Sequence, residues 1–238
     1  ILSIAPQSFV ITGRVDLDTA LDGAESADLH VRPDRMLYAA GLVWVSCDYL
    51  NGNFDQAGNG LLLAIDPETD TVERKIEIPE MSNCTGLDYD DTAQSLYVSC
   101  TGLFSSGSKL QLERSGLIAI DLSDEGSSYR IISRADDGQK RPYGFETACL
   151  EDGRMLIVRF GDITEELNDE LVLIDPADGS QIVVHVAATP FGLGGFLFDE
   201  EYDTLYVGDA DIEKPLVYLY HYEDGEFSLT GSISSHPQ

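Results

Sequence analysis

Short apolar runs separated by polar turns fill most of the chain. Each run is about four to eight residues long and rich in Val, Ile, Leu, Tyr and Phe, as β-strands are. No stretch has the sustained period of an amphipathic helix. One apolar pentapeptide recurs in four versions: VWVSC at 43–47, LYVSC at 96–100, LIVRF at 156–160 and LYVGD at 205–209.

A second apolar run follows each pentapeptide at a regular distance. Three copies contain Ile-Asp, beginning at Ile65, Ile120 and Ile174, and the fourth has Leu219 at the matching place. The repeat period is therefore about 50 residues, which is the range of repeats that build β-propellers.

Each repeat contains four predicted strands, because one further run precedes the pentapeptide and another follows the second run. A lone four-stranded sheet of this size cannot bury both faces, so consecutive sheets must stack, and radial stacking gives a β-propeller. The sequence thus predicts an all-β fold, a propeller of four-stranded antiparallel blades with the pentapeptide as an inner strand. An irregular pair of β-sandwiches is the alternative. The predicted units are approximately 27–79, 85–133, 143–187 and 194–233.

Aromatic side chains occupy matching places in three of the pentapeptides, at Trp44, Tyr97 and Tyr206. We expect them to pack between blades, which is the usual role of such rings in a repeat fold. The glycine-rich segment PFGLGGF at 190–196 lacks the glycine order of a phosphate-binding loop. Its glycines are interpreted as letting the chain enter the crowded centre of a ring.

The order LYVS, then GLLLAIDPETDTV, then KIEIP resembles the YVTN class of β-propeller repeats, in which a Tyr-Val strand is followed by an Ile-Asp-Pro segment. The resemblance covers residues 27–233 and weakens in the last copy, where Tyr220 and His221 stand in place of Asp-Pro. The resemblance implies a propeller fold, and it says less about the function. Propellers of this class serve as surface and scaffold proteins, as ligand binders and, with added loops, as enzymes.

Residues 8–17 form a further predicted strand ahead of the first unit, similar to the predicted outer strand at 227–233. Since the last unit already has its own outer strand, three interpretations remain. The chain is the C-terminal part of a larger ring, or a closed four-bladed ring with an accessory strand, or one of two copies that complete a ring together. The first is favoured, because the chain begins within a strand pattern.

The chain is strongly acidic, with 43 Asp and Glu against 14 Lys and Arg and a net charge of −29. Such a field repels phosphate backbones and anionic lipid, so nucleic acid and acidic membrane surfaces are poor candidate partners. No apolar run is long enough to insert into a membrane. The charge suits cation binding or solubility outside a cell, and a merely solvated surface is the alternative.

Four cysteines occur without the paired spacing of a zinc site or a redox motif. Cys84 and Cys100 lie symmetrically about the predicted turn at 90–94, so they are candidates for a cross-strand disulfide. A disulfide would imply an oxidising compartment, and we expect an extracellular, cell-surface or periplasmic protein, either processed or truncated. Cys47 and Cys149 are interpreted as simply buried.

The loops between the second and third strands share one face of a propeller, here at 48–59, 101–114, 161–169 and 209–214. Hard cations such as Ca²⁺ bind several carboxylate and carbonyl oxygens, and solvated loop acids are the alternative. The aspartates at the loop bases are the candidate metal ligands: Asp48, Asp162, Asp209 and Asp211.

Motifs of nucleophilic or zinc-dependent hydrolysis are absent from the sequence, and the four histidines are dispersed. The expected function is therefore that of an exported, non-catalytic module for binding, surface or assembly roles. The alternative is a calcium-dependent propeller hydrolase of the lactonase type. Edge strands at 8–17 or 227–233 are expected to pair with another protein chain or with a copy of this one.

Overall fold

The computed structural model describes residues 1–17, 28–103, 112–123, 128–137, 141–211 and 213–234. Within them the only helix is a 3-10 turn at Leu112–Arg114, and none is long and apolar enough to cross a membrane. The strands form one two-stranded hairpin and four antiparallel sheets of four strands each, which we call blades I to IV in chain order. The predicted all-β class and four-stranded blades are confirmed. Residue 27, most of the loop at 101–114 and residue 212 lie outside the described residues.

The strands follow one another within each blade in sequence order. The hairpin contains β1 (Leu2–Ala5) and β2 (Val10–Arg14). Blade I contains β3 (Leu29–Ala39), β4 (Leu42–Asn51), β5 (Gly60–Asp66) and β6 (Thr71–Ile78). Blade II contains β7 (Cys84–Asp90), β8 (Ser95–Cys100), β9 (Gly116–Asp121) and β10 (Tyr129–Arg134). Blade III contains β11 (Tyr143–Cys149), β12 (Met155–Arg159), β13 (Glu170–Ile174) and β14 (Gln181–Val186). Blade IV contains β15 (Leu193–Asp199), β16 (Thr204–Asp209), β17 (Leu216–Glu223) and β18 (Glu226–Ser234).

The hydrophobic core lies between successive blades. In blade II, Leu96 and Val98 pack against blade I, whereas Tyr97, on the other side of the same strand, packs against blade III. This division follows from the two-residue period of a strand. Trp44 packs between blades I and II, as expected. Tyr206 of blade IV is partly exposed, because blade IV is the last blade of the described residues.

The pentapeptide forms the second strand of its blade and not the innermost one. The strand before it lies nearest to the neighbouring blades, since β7 contacts both β3 and β11. This innermost position is crowded, and Gly86 shows the consequence: an added Cβ there would lie 2.1 Å from Ser99 Oγ of its own blade and 3.1 Å from Thr147 Cγ2 of blade III.

The third pentapeptide is displaced by one residue from its predicted frame. Arg159 lies opposite Tyr143 in blade III, as Cys100 lies opposite Cys84 in blade II. The structural equivalent of LYVSC is therefore MLIVR at 155–159, because only this frame turns Met155 and Ile157 towards blade II.

The innermost strands are all interrupted at the same end. A register shift, or bulge, re-aims side chains and bends the strand, and bulges are common beside functional sites. Here the shifts fall in the first half or near the middle of each strand, towards the face on which the loops between second and third strands lie. The shifts fall between Pro33 and Met36, Cys84 and Gly86, Tyr143 and Thr147, and Leu193 and Gly195.

Several of the acidic residues stabilise tight turns on the face opposite the loops between second and third strands. Asp66 accepts a hydrogen bond from the backbone N–H of Glu68 at 2.7 Å, and Asp90 accepts one from Thr92 at 2.9 Å. An Asp carboxylate that binds the N–H two residues on stabilises a tight turn. The same contact occurs at Asp121, Asp175 and Asp199.

The predicted extra strand at 8–17 belongs to a hairpin. β2 pairs with β1 and not with a blade, and Val15 and Leu17 continue into a buried cluster with Val45 and Leu61 of blade I. The N-terminal segment thus covers the face of blade I that points away from blade II.

Candidate functional site

A cavity of about 610 Å³ opens on the face that carries the loops between second and third strands. Its walls come from blades I, II and III and from the connection that leads into blade IV. The volume is in the range of pockets that hold small organic molecules. The lining residues are Asp34, Arg35, Asp48, Leu50, Phe54, Asn83, Thr85, Leu103, Phe145, Phe160 and Phe191.

Two hydrogen bonds position the strands on the polar side of the cavity. The bulge in β3 lets the backbone N–H of Arg35 donate to Ser46 Oγ at 3.2 Å, and the Ser46 hydroxyl donates to the carbonyl oxygen of Thr85 at 2.8 Å. β4 is thereby fixed to the first strand of its own blade and to that of the next. Asp48 lies two residues after Ser46, on the same side of β4.

Phenylalanine rings form the apolar wall. The Phe160 ring centroid lies 5.1 Å from that of Phe145 and 5.9 Å from that of Phe191. Across the cavity, the Arg32 guanidinium lies 4.5 Å from the centre of the Phe54 ring. Phe54, Phe145 and Phe191 are 53%, 41% and 51% exposed. Grouped, exposed aromatic rings in a concave surface are typical of a ligand site.

Phe54 and Phe191 also hold backbone conformations that bulky residues avoid, with φ of 59° and 55°. The left-handed region costs an L-residue roughly 1–2 kcal/mol. Burial of a half-exposed ring offsets little of this cost.

Asp169 holds Phe191 in place. This fully buried carboxylate accepts hydrogen bonds from the backbone N–H groups of Phe191 at 2.9 Å, Gly161 at 2.6 Å and Leu193 at 3.0 Å. It thereby ties the loop after β12 to the connection between blades III and IV, and it presents Phe191 to the cavity.

Three residues of the lining each carry a buried oxygen atom that has no hydrogen-bond partner within the described residues: Asp48 Oδ1, Asn83 Oδ1 and Thr85 Oγ1. Asn83 and Thr85 are only 8% and 1% exposed. A buried polar atom left unpaired costs about 1–3 kcal/mol, and such atoms are rare in folded proteins unless something bound completes them. All three can accept hydrogen bonds, and only the Thr85 hydroxyl can also donate.

The electrostatics of the cavity centre on Asp48. Burial raises the pKa of Asp48 to about 6, the Asp34 carboxylate adds to the rise, and the Arg32 guanidinium opposes it. At neutral pH Asp48 is therefore ionised in surroundings that disfavour its charge. Arg35 lies at the edge of the cavity with its guanidinium 3.8 Å from the Glu146 carboxylate of blade III.

Of the four aspartates predicted as metal ligands, only Asp48 lines the cavity. The other carboxylates accept backbone hydrogen bonds nearby. Asp162 accepts from Thr164 at 2.7 Å within its own loop, and Asp211 accepts from Glu213 at 2.8 Å.

Asp209 is buried between blades III and IV. Its Oδ2 accepts a hydrogen bond from the Ala188 N–H at 3.0 Å and lies 3.4 Å from His185 Nε2. In the part of the chain that the structure describes, no three His, Cys, Asp or Glu side chains come together in a way that could hold a metal ion. The structure therefore does not gather the predicted aspartates, and calcium binding at Asp48 stays a prediction.

The remaining cavity residues were not predicted from the sequence. Phe160 is the last residue of the predicted pentapeptide LIVRF, but in the structure it directly follows the strand MLIVR at 155–159, so the predicted frame places it inside the strand. Phe191 lies inside the PFGLGGF segment, whose glycines alone carry its interpretation. Asn83 and Thr85 flank Cys84, so their positions follow from the predicted start of blade II, although their unpaired oxygens do not.

Cys84 and Cys100 form a disulfide between directly opposite residues of β7 and β8. This is the register that the symmetric turn predicts. Cys47 and Cys149 are free thiols; Cys47 is buried as expected, whereas Cys149 is only partly buried. Burial, aided by nearby carboxylates, raises the pKa of each thiol to about 12, so neither is a nucleophile at neutral pH.

Comparison with known proteins shows likeness at the level of structure alone. No family model and no curated protein matches the chain. Hydrazine synthase from Kuenenia stuttgartiensis matches with a TM-score of 0.59 and 15% identity over 95% of this chain and 57% of that one. The calcium-binding protein regucalcin from Agrobacterium tumefaciens matches with a TM-score of 0.54 and 14% identity, covering 86% and 60%. TolB from Acinetobacter baumannii matches with a TM-score of 0.50 and 13% identity, covering 87% and 44%.

The chain spans less than two thirds of the length of each of these three structures. Likeness at such low identity shows the fold and not the activity, and membership of the YVTN class stays a prediction. Four radially packed antiparallel sheets and the structures they resemble lead to one conclusion: the chain has a β-propeller fold, consistent with part of a larger ring.

Proposed function

We propose that this chain is an exported, non-catalytic binding module that holds a small molecule in the cavity on its loop face. The observation that carries the proposal is the set of buried oxygens of Asp48, Asn83 and Thr85 that find no partner among the described residues, beside exposed phenylalanine rings. Folding alone does not reward either feature, since buried acceptors cost free energy when unpaired and exposed rings bury little apolar surface. A bound molecule would satisfy both.

Export is supported by the Cys84–Cys100 disulfide, which persists in oxidising compartments. The net charge of −29 suits a protein that must stay soluble outside a cell.

Ligand-observed NMR tests the binding role. The ligands are a set of small aromatic molecules that are neutral, cationic or anionic, each measured with the wild type and with a Phe54→Gly/Phe191→Gly variant. We expect members of the set to bind the wild type and to bind the variant more weakly. Failure of every charge class to bind, or equal binding to both proteins, would overturn the proposal.

A calcium-dependent hydrolase of the lactonase type is the second candidate. The same three oxygens favour it, because oxygen atoms are the ligands that Ca²⁺ prefers. A panel of lactones and esters, assayed with Ca²⁺ and with chelator, separates the two. Turnover that chelator abolishes and Asp48→Asn removes would establish the hydrolase, whereas we expect no turnover.

We further propose that edge strands pair with another chain or with a copy of this one. β18 is exposed along most of its length, including Leu229 and Ile233, and the hairpin exposes Ile4, Phe9 and Ile11. Unpaired edges with apolar side chains invite strand addition. Native mass spectrometry tests this, and a mass of one chain at high concentration would count against it.

A further inference from the structure

The unpaired oxygens and the aromatic wall together indicate which class of ligand the cavity takes, an inference that rests on the proposed function above. We propose that the ligand is an organic cation with an apolar body. Its protonated amine donates hydrogen bonds to Asp48, Asn83 and Thr85, and its apolar part lies against the phenylalanine rings.

The hydrogen-bond chemistry of the lining requires a donor. Asp48 Oδ1 and Asn83 Oδ1 can only accept, and Thr85 Oγ1 can accept as well. A primary ammonium group has three N–H donors and no acceptor. A ligand that offers only acceptors would leave two of these oxygens unpaired, so the lining selects against it.

The charge of the cavity favours a cation. Three carboxylates, those of Asp34, Asp48 and Glu146, lie against two guanidinium groups. Arg35 lies 3.8 Å from Glu146, and Arg32, above the Phe54 ring, offsets part of the Asp48 charge, so one negative charge is in excess. The contact between Arg32 and Phe54 also shows that an aromatic ring of the cavity accepts a positive charge over its face. The acidic field of the whole chain adds a long-range attraction for cations.

An anionic ligand fits the cavity poorly. It would need donors, and the side chains of the described lining offer the Thr85 hydroxyl, the Asn83 amide NH2 and a guanidinium at 3.8 Å from Glu146. It would also approach Asp34 and Asp48 against like charge. Both effects disfavour carboxylates and phosphates.

A bare metal ion fits the lining less well than an organic cation. Calcium takes six to eight oxygen ligands, while the cavity presents three unpaired oxygens and six apolar side chains, Leu50, Leu103 and four phenylalanines. The described residues hold no cluster of three metal-ligating acids, histidines or cysteines. The apolar surface has no role in a calcium site, whereas it would contact the hydrocarbon or aromatic part of an organic ligand directly.

Isothermal titration with three matched probes tests the ligand class. Phenylpropylamine, phenylpropanol and phenylpropanoate share one apolar body and differ in their end group, and CaCl₂ is titrated in parallel. We expect the amine to bind at least about ten times more tightly than the alcohol, since charge-assisted hydrogen bonds are the stronger kind. We expect the carboxylate to bind most weakly.

Two variants locate the effect. Asp48→Asn should lower the amine's affinity to that of the alcohol and leave the alcohol's affinity unchanged. Asp162→Asn, which removes an acid on the same face but outside the cavity, is the matched control and should change neither affinity.

Tighter binding of the alcohol or the carboxylate than of the amine would overturn the ligand class and leave the binding role intact. Calcium binding that Asp48→Asn abolishes, without amine binding, would overturn it in favour of a metal site. Failure of every probe, together with failure of the wider aromatic set, would remove the binding role itself.

Discussion

The hydroxyl of Ser99 in blade II donates a 2.8 Å hydrogen bond to the carbonyl oxygen of Gly144 in blade III, and Ser46 makes the same bond to Thr85 one blade earlier. Both serines are fully buried. The bond ties the second strand of one blade to the innermost strand of the next. This contact gives the serine of the repeated VSC sequence its structural role, and it positions the wall of the cavity that carries Thr85.

Ser99→Ala should destabilise the protein by about 1–3 kcal/mol, because the Gly144 carbonyl loses its partner in a buried place. Urea unfolding measures the change. Ser232→Ala in the exposed strand β18 is the matched control, and we expect it to stay within about 0.5 kcal/mol of the wild type. Equal effects of the two substitutions would show that the blade-to-blade bond contributes nothing.

Reduction of the Cys84–Cys100 disulfide should lower the free energy of unfolding by about 3 kcal/mol, the amount that closing a loop of this length contributes. Thermal unfolding with and without a thiol reductant measures it. A Cys84→Ala/Cys100→Ala variant should no longer respond to the reductant, whereas Cys149→Ala should respond as the wild type does. A wild type that ignores the reductant, under conditions where thiol titration shows four free cysteines, would contradict the prediction.

Phe191→Gly should leave stability unchanged or raise it by up to about 1 kcal/mol, because glycine accepts the left-handed conformation at φ 55° without strain. The same substitution should weaken phenylpropylamine binding. Phe198→Ala gives the contrast, since the partly buried Phe198 ring packs against Tyr222 and Phe227 at the cluster between blades III and IV. Its loss should cost about 2 kcal/mol, less than the loss of a fully buried ring. A large loss of stability in Phe191→Gly would make Phe191 a core residue.

Asp48→Asn should raise the melting temperature at pH 7 by about 2–4 °C, the shift that about 1 kcal/mol produces in a domain of this size. The reason is that burial, with Asp34 nearby, raises the pKa of Asp48 to about 6 in the folded state. The folded protein then binds this proton more tightly than the unfolded chain, so stability falls as the pH rises from about 4 to about 6.

The Asp48→Asn substitution removes this pH-dependent loss of stability, so the melting temperatures of the wild type and the variant should converge near pH 4. Melting curves between pH 4 and pH 8 test this. A constant difference at every pH would show that Asp48 does not titrate in this window.

The repeat was predictable from the sequence because strand alternation and a period near 50 residues leave few ways to bury both faces of a sheet. The disulfide register followed from the same symmetry, with Cys84 and Cys100 equally far from one turn. The frame of the third pentapeptide was not predictable, because Leu156 and Val158 satisfy the apolar pattern as well as Met155 and Ile157 do. Only packing against the neighbouring blade shows which of the two frames is correct.

The candidate site was harder to predict than the fold. Asp162 and Asp209 are like Asp48 in sequence context, yet backbone N–H groups of Thr164 and Ala188 satisfy their carboxylates. Whether a loop acid is satisfied locally depends on the path of the loop, which composition does not encode. The four phenylalanines of the cavity, Phe54, Phe145, Phe160 and Phe191, come from distant segments of the chain, so no local motif marks them.

A crystal structure of the protein soaked with phenylpropylamine would test the central claim most directly. The account predicts the probe in the loop-face cavity, with its amine within hydrogen-bond distance of Asp48 Oδ1 and its ring beside Phe145 or Phe191. A cavity that stays free of the probe while the probe binds elsewhere would contradict it, and so would a probe whose ring takes the place predicted for the amine.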